Sequence, residues 1–204
     1  KTVFGVLMMS HMADKEKLAN EAKKMQDFGA EAVILMDSSG NYLPKNVKEK
    51  VGFLTKNLKI SIGFHAHNNL GMGVANSIAA IESGARLIDG SSRGFGAGAG
   101  NAQLEVLVSV LDKMGYKTGI DLYKMLDASD LAEKELIEHL PYISSSSIVS
   151  GLSGVFSGYL TPVKRIAKEY NIDPRDLFFE LGRQKVVAGQ EDLIIEVAKK
   201  LSVN

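Results

Sequence analysis

The sequence has no cysteine in 204 residues and no net charge, because 24 lysine and arginine residues balance 24 aspartate and glutamate residues. The absence of cysteine excludes disulfide bonds and thiolate ligands, so any bound metal must be held by nitrogen and oxygen atoms. The balanced charge, without a basic stripe interleaved with aromatic residues, argues against a nucleic-acid partner. We therefore expect no nucleic acid among the partners of this chain.

Long hydrophobic runs are also missing. No apolar run approaches the roughly 20 residues that a membrane-spanning helix needs, and no signal-peptide pattern opens the chain. We therefore expect a soluble, cytoplasmic protein that does not bind a membrane. Residues 1–9 already have the pattern of a buried strand, so we expect the fold to begin upstream of Lys1.

The first half of the chain repeats one pattern four times: a short apolar strand, a turn with polar residues or glycine, and an amphipathic helix. The predicted strands are residues 3–9, 32–36, 60–64 and 86–88, and the predicted helices are residues 14–28, from 44 onward, 70–83 and 102–115. Strands joined by helices run parallel, because each crossover returns the chain in the same direction. The pattern predicts an α/β fold.

Both a doubly wound sheet and a (β/α)8 barrel fit this pattern. Polar residues follow all four strands, as in a barrel whose active-site groups come from several βα loops. We favour the C-terminal half of a TIM barrel in residues 1–116, followed by a small helical domain in residues 117–204. Within that domain, helices are predicted at 122–126 and 131–140, and a polar, turn-rich segment at 141–158.

Two of the four histidines, His65 and His67, lie one residue apart at the end of the third predicted strand. Side chains at i and i+2 of a strand share one face, so both imidazoles point the same way. Two imidazoles that converge from a strand end are half of a divalent-metal site. The alternative is a pair of histidines that are simply hydrogen-bonded at the rim of the sheet.

Two further candidates lie in loops that follow strands. Asn101 ends a loop with alternating glycines, and it either aims its amide oxygen at a metal or caps the helix that follows. Ser38 follows Asp37 at a strand end, where its hydroxyl is suited to bind a substrate carboxylate. The alternative for this second loop is an ordinary turn in which Asp37 accepts backbone hydrogen bonds.

The run His65-Ala66-His67, with the residues up to Leu70, the segment 73–77 and the glycine loop 94–101, resembles the metal-dependent pyruvate aldolases that cleave 4-hydroxy-2-oxovalerate. More broadly, these segments are similar to the superfamily of 3-hydroxy-3-methylglutaryl-CoA lyase and isopropylmalate synthase. Residues 5–12 and 173–192 also resemble the aldolase branch. The resemblance therefore covers essentially the whole chain.

The resemblance implies a TIM barrel in which His65 and His67 bind Mn²⁺ or Mg²⁺, with Asn101 as a further ligand. The family's remaining metal ligand is an aspartate in an Arg-Asp-Gly motif on the first strand of the barrel. That motif is absent from this sequence, and the family's enolate-binding arginine and base histidine are absent with it. Phe156 stands at the position of the family's active-site tyrosine, so the ring is kept and the hydroxyl is lost.

The implied reaction is cleavage of 4-hydroxy-2-oxovalerate to pyruvate and acetaldehyde through a metal-stabilised enolate, in the breakdown of aromatic hydrocarbons. The implied partner is an acylating acetaldehyde dehydrogenase that contacts the helical domain. Two alternatives remain open. One is an acyl-CoA-dependent Claisen-type enzyme of the isopropylmalate synthase kind. The other is a noncatalytic interaction module, because the first-strand motif is absent.

Overall fold

The computed structural model describes residues 1–203 and contains one four-stranded parallel sheet. Its strands are Phe4–Leu7 (β1), Ala32–Asp37 (β2), Ser61–Ala66 (β3) and Leu87–Asp89 (β4), and they lie in the order β1-β2-β3-β4. Right-handed crossovers between strands in sequential order place every connecting helix on the same face of the sheet. This arrangement matches part of a barrel and confirms the predicted α/β class.

One helix follows each strand: Lys15–Asp27 (α1), Pro44–Asn57 (α2), Gly73–Glu82 (α3) and Leu104–Lys113 (α4). Helices α1 to α3 connect successive strands and bury apolar side chains in the core beside the sheet. Val47, Val51 and Leu54 of α2 are fully buried against the strand residues Leu35 and Phe64. Spacings of four and three residues place these α2 side chains on one face of the helix, as the sequence predicted.

The second half of the chain contains helices and no strand within the described residues. Its helices are Leu122–Leu136 (α5), Ser145–Ser153 (α6), Leu160–Glu169 (α7), Pro174–Arg183 (α8) and Asp192–Leu201 (α9). Helices α7 to α9 enclose a second core around Val163, Phe178 and Val197. The predicted boundary at residues 116–117 falls in the loop between α4 and α5, and the division into two domains stays a prediction.

Two sequence predictions in this half were wrong. A single helix, α5, replaces the two predicted at 122–126 and 131–140, and it ends where Ile137 takes an extended conformation. Helix α6 lies in the segment that was predicted to be turn-rich. Its first turn is closed by two serines, because Ser144 Oγ accepts from Ser147 N at 3.2 Å and Ser147 Oγ accepts from Ser144 N at 2.7 Å. The serine run is therefore a helix N-terminus.

Within residues 1–203 no helix has the length and apolar character needed to cross a membrane.

Candidate metal centre

The C-terminal edge of the sheet brings together polar side chains from three neighbouring strands. In the strand register His65 lies opposite Met36 on one side and Asp89 on the other. The rings of His65 and His67 meet edge to face, with their centroids 4.9 Å apart and an interplanar angle of 75°. The spacing of the two histidines therefore places both imidazoles on one face, as predicted.

Both histidines use Nδ1 for contacts within the protein. His65 Nδ1 pairs with the carboxylate of Asp89, and His67 Nδ1 lies 2.8 Å from the carbonyl oxygen of Asp37. Since a carbonyl or carboxylate oxygen can only accept, each Nδ1 carries a proton. Within the described residues neither Nε2 has a hydrogen-bond partner. Metal-binding histidines commonly show this arrangement, in which one ring nitrogen is held and the other is left for the metal.

His67 is neutral at physiological pH. Its burial lowers the pKa to about 4, although the bond to the carbonyl of Asp37 opposes the shift and His65 adds to it. A neutral imidazole is the form that binds a metal ion.

Asn101 lies opposite His67 in an isolated antiparallel bridge between the strand end and the glycine loop. Its Nδ2 donates to the carbonyl oxygen of Phe95 at 3.1 Å and to Ser91 Oγ at 3.3 Å. Its Oδ1 is buried without a partner, one of two such side-chain atoms in the described part of the chain. A buried amide oxygen without a partner is costly unless a ligand completes it.

The N-cap alternative for Asn101 was wrong, because helix α4 begins at Leu104 with Gln103 as its N-cap. The glycines of the loop instead allow the chain to fold closely around the asparagine. A Cβ at Gly96 would collide with the amide group of Asn101. A Cβ at Gly100, which has φ of +85°, would collide with the carbonyl oxygen of Gly94. The loop geometry thus requires glycine at both positions.

The turn after β2 is organised by Asp37. Its fully buried carboxylate accepts hydrogen bonds from the backbone N–H groups of Asn41 at 2.9 Å and Tyr42 at 3.1 Å. Burial raises the pKa of Asp37 to about 6, against the lowering effect of these donors. Ser38 is also fully buried, and its hydroxyl accepts from Met9 N at 2.8 Å. Its hydroxyl proton is left to donate, so the predicted substrate contact stays a prediction.

The segment around Phe156 lies against these loops. The neighbouring Ser157 donates its N–H to the carbonyl oxygen of Ser38 at 2.9 Å and its hydroxyl to Asn69 Oδ1 at 3.0 Å. The Phe156 ring packs edge to face on Tyr159, with the centroids 5.6 Å apart. The helical half of the chain therefore covers the same edge of the sheet that carries the histidines.

Sequence reasoning assigned no role to Asp89, Ser91 or Asn69. Asp89 is the last residue of β4, and only the pairing of β3 with β4 reveals that it lies beside His65. Within residues 1–203 no group of three histidine, cysteine, aspartate or glutamate side chains is placed to hold a metal ion. The candidate donors are therefore the two imidazoles and the partnerless amide oxygen of Asn101, whose backbone bridges to His67. This set fits part of a coordination sphere.

Comparison with known proteins now adds to this geometry. The model of the HMGL-like family matches residues 1–132, and that of the DmpG-like communication domain matches residues 141–203. The chain belongs to the HMGL-like family.

Two curated relatives of this HMGL-like chain are named 4-hydroxy-2-oxovalerate aldolase. The relative from Spirochaeta aurantia is 66% identical over 98% of the chain, and that from Pectobacterium atrosepticum is 58% identical over 99% of the chain. The chain spans 59% of the length of each relative.

Solved structures show the same fold. The N-terminal domain of a putative aldolase from Bacteroides vulgatus matches with a TM-score of 0.64 and 26% identity, over 82% of this chain and 55% of that one. The carboxyl transferase domain of Rhizobium etli pyruvate carboxylase matches with a TM-score of 0.77, over 99% of this chain and 37% of that one. At 18% identity the second likeness shows the fold alone. These neighbours confirm the barrel-type fold class.

Proposed function

We propose that this chain is the metal-binding part of a class II pyruvate aldolase, a carbon–carbon lyase that cleaves 4-hydroxy-2-oxovalerate to pyruvate and acetaldehyde. The observation that carries the proposal is the histidine pair, in which both Nδ1 atoms are held and both Nε2 atoms are left free. The relatives named 4-hydroxy-2-oxovalerate aldolase, 66% and 58% identical to this chain, support the choice of substrate.

His65 and His67, through Nε2, and Asn101, through Oδ1, would hold the divalent ion. The free Nε2 atoms and the partnerless amide oxygen fit such an ion. Two nitrogen ligands favour Mn²⁺ over Mg²⁺, which prefers oxygen ligands and keeps its waters. When bound, the ion supplies Lewis-acid polarisation of the keto acid.

The protein's own contribution is orientation. Asp89 and the Asp37 carbonyl oxygen fix the two rings and their tautomers, and Ser91 and the Phe95 carbonyl oxygen fix the amide of Asn101. Ser38 would donate its free hydroxyl proton to the substrate carboxylate. Phe156 offers a ring without a hydroxyl, so it can shape the site and cannot donate a hydrogen bond.

The remaining metal ligand, the arginine and the base would come from the part of the relatives' length that this chain does not span. The match to the DmpG-like communication domain supports an acylating acetaldehyde dehydrogenase as partner of the helical half. The cytoplasmic location and the role in aromatic hydrocarbon breakdown stay predictions. The acyl-CoA-dependent synthase is disfavoured, because the similar relatives are named aldolases.

The test is release of pyruvate from 4-hydroxy-2-oxovalerate by the polypeptide in its natural length, with Mn²⁺ and after chelation by EDTA. Lewis-acid stabilisation is worth several kcal/mol, so His65→Ala or His67→Ala is expected to slow turnover by about 1,000-fold or more. His139→Ala is the matched control, since His139 is exposed and is not one of the proposed ligands. Turnover that persists unchanged after chelation would contradict the proposal.

A further inference from the structure

Arg93 occupies an unusual backbone conformation close to the candidate metal centre. It is the middle residue of a 3-10 turn, Ser92–Gly94, that follows β4, and its φ of 54° and ψ of 15° are left-handed. Residues other than glycine rarely adopt this conformation, so the surrounding contacts must hold it.

Three carboxylates hold Arg93 in place. Its Nη2 pairs with Asp130, its Nε donates to Glu133 at 2.7 Å, and its Nη1 lies 3.5 Å from Glu105. The backbone N–H of Arg93 is shared between the two carboxylate oxygens of Glu105, at 3.2 and 3.1 Å. Glu105 is itself buried, and it also accepts the hydroxyl of Ser129 at 3.2 Å. Both the main chain and the side chain of Arg93 are therefore fixed to α4 and α5.

The turn that Arg93 occupies also holds Asn101. The side-chain amide of Asn101 donates to Ser91 and Phe95, which flank the turn, and Ser91 Oγ donates to the Phe95 carbonyl oxygen at 2.6 Å. The main-chain N–H of Asn101 donates to the Gly94 carbonyl oxygen at 2.8 Å. These acceptors require the amide nitrogen on their side, which leaves Oδ1 as the free atom.

We propose that Arg93 is a positioning residue, which locks the turn of residues 91–95 to α4 and α5 and thereby presents Asn101 Oδ1 as a ligand for the divalent ion. This inference rests on the proposed function, because it takes Asn101 as a ligand. The same contacts attach α5 to the turn of residues 91–95 and to α4. In α5, all of which the structure describes, Ser129 is the one buried residue, and its neighbours Asp130 and Glu133 form the ion pairs to Arg93.

The experiment measures the affinity of the metal-free, natural-length polypeptide for Mn²⁺ alone, by the loss of the free Mn²⁺ signal in electron paramagnetic resonance. Asn101→Ala and Arg93→Ala are each expected to weaken binding by about tenfold, as typical for a group that orients a ligand. The double variant is expected to bind no more weakly than Asn101→Ala, because both changes remove the same ligand. Losses that multiply in the double variant would overturn the proposal.

Three further variants separate positioning from general stability. Arg93→Lys should recover part of the affinity, because a lysine keeps the charge but not the fork of donors. Arg93→Gly tolerates the left-handed backbone but lacks the ion pairs. A Mn²⁺ affinity equal to that of the unsubstituted protein would therefore overturn the positioning role of Arg93. Arg165→Ala, which removes an exposed ion pair to Glu169 on α7, is the control and should bind Mn²⁺ normally.

A second readout does not involve the metal. In the metal-free protein, hydrogen exchange of the Asn101 N–H should accelerate by about tenfold in Arg93→Ala, and not in Arg165→Ala. An unchanged exchange rate in Arg93→Ala would show that Arg93 does not hold the turn, and would overturn the proposal. Unchanged Mn²⁺ binding in His65→Ala and His67→Ala would contradict the proposed function. A loss in those two variants, with unchanged binding in Arg93→Ala, would contradict the positioning role alone.

Discussion

Burial sets the protonation of His67 more strongly than any charged neighbour. The pKa falls to about 4 even though the carbonyl oxygen of Asp37 favours the protonated ring. The residue is therefore ready to bind a metal without first losing a proton at neutral pH. His65 lies nearer to solvent and has a carboxylate, Asp89, on its Nδ1, so the two rings of the candidate centre are oriented by different partners.

Asp89→Asn is expected to weaken Mn²⁺ binding by about 10–100-fold, because the carboxylate holds His65 Nδ1 and so fixes the orientation of the ring. Titration of the metal-free, natural-length polypeptide with Mn²⁺ measures the change. Asp112→Asn in α4 is the control, since Asp112 is exposed and carries the same charge. Equal affinities for the two variants would show that Asp89 does not orient the ring.

His11 should make the free energy of unfolding depend on pH. Its Nε2 lies 2.8 Å from the carbonyl oxygen of Gly154, and burial lowers its pKa from the usual 6.5. The folded state therefore binds the proton less tightly than the unfolded state, and the contribution of His11 to stability is lost as pH falls below about 6.5. In urea unfolding at pH 8 and pH 5, the advantage of the unsubstituted protein over His11→Gln should be larger at pH 8. Parallel pH profiles would contradict this.

At the scale of elements, the glycine loop shows how backbone conformation and close packing combine. Gly100 and Gly115 have nearly the same φ, +85° and +82°. A Cβ at Gly100 would collide with the Gly94 carbonyl oxygen and lie 2.9 Å from Pro141, whereas at Gly115 no described heavy atom lies within 4 Å. Substitutions at Gly115 and Gly100 therefore distinguish the cost of a left-handed backbone alone from that cost together with a steric clash.

Gly115→Ala should lower the free energy of unfolding by about 1–2 kcal/mol, the cost of a left-handed alanine. Gly100→Ala should pay that cost and a further 1–3 kcal/mol, roughly, for overpacking. Chemical denaturation of both variants beside the unsubstituted protein measures the difference. Equal losses would show that the loop relaxes around the added methyl group.

The sequence was most informative where periodicity decides the structure. Strands β1 to β4 and helices α1 to α4 follow from apolar spacing, and the histidine pair follows from strand geometry. Helix α6 was missed because its serines satisfy one another, and such a cap looks like a turn. The ion pairs of Arg93 could not be predicted from the sequence, because the partners Asp130 and Glu133 lie 37 and 40 residues away along the chain. A positive φ at arginine carries no sequence signal either.

At the scale of the molecule, two separate apolar cores are joined by buried polar contacts. One core lies between the sheet and its helices, and the other lies among α7, α8 and α9. Asn69 is a central point of the junction: fully buried, it donates to the Ser147 carbonyl oxygen at 3.1 Å and accepts from the Ser157 hydroxyl at 3.0 Å. Because hydrogen bonds are directional, this junction fixes how the helical half sits on the strand ends.

Asn69→Ala tests the junction. The substitution leaves the Ser147 carbonyl oxygen and the buried Ser157 hydroxyl without these partners, at about 1–3 kcal/mol for each unsatisfied group. With the cores less tightly coupled, the helical half should unfold before the sheet, and the calorimetric transition should broaden or split. Asn57→Ala is the control, because Asn57 is exposed and bonds only the Phe53 carbonyl oxygen of its own helix. The control should unfold in a single transition, and its free energy of unfolding should lie within about 0.5 kcal/mol of that of the unsubstituted protein. A single, unshifted transition in Asn69→Ala would show that apolar contacts, rather than this amide, join the two halves.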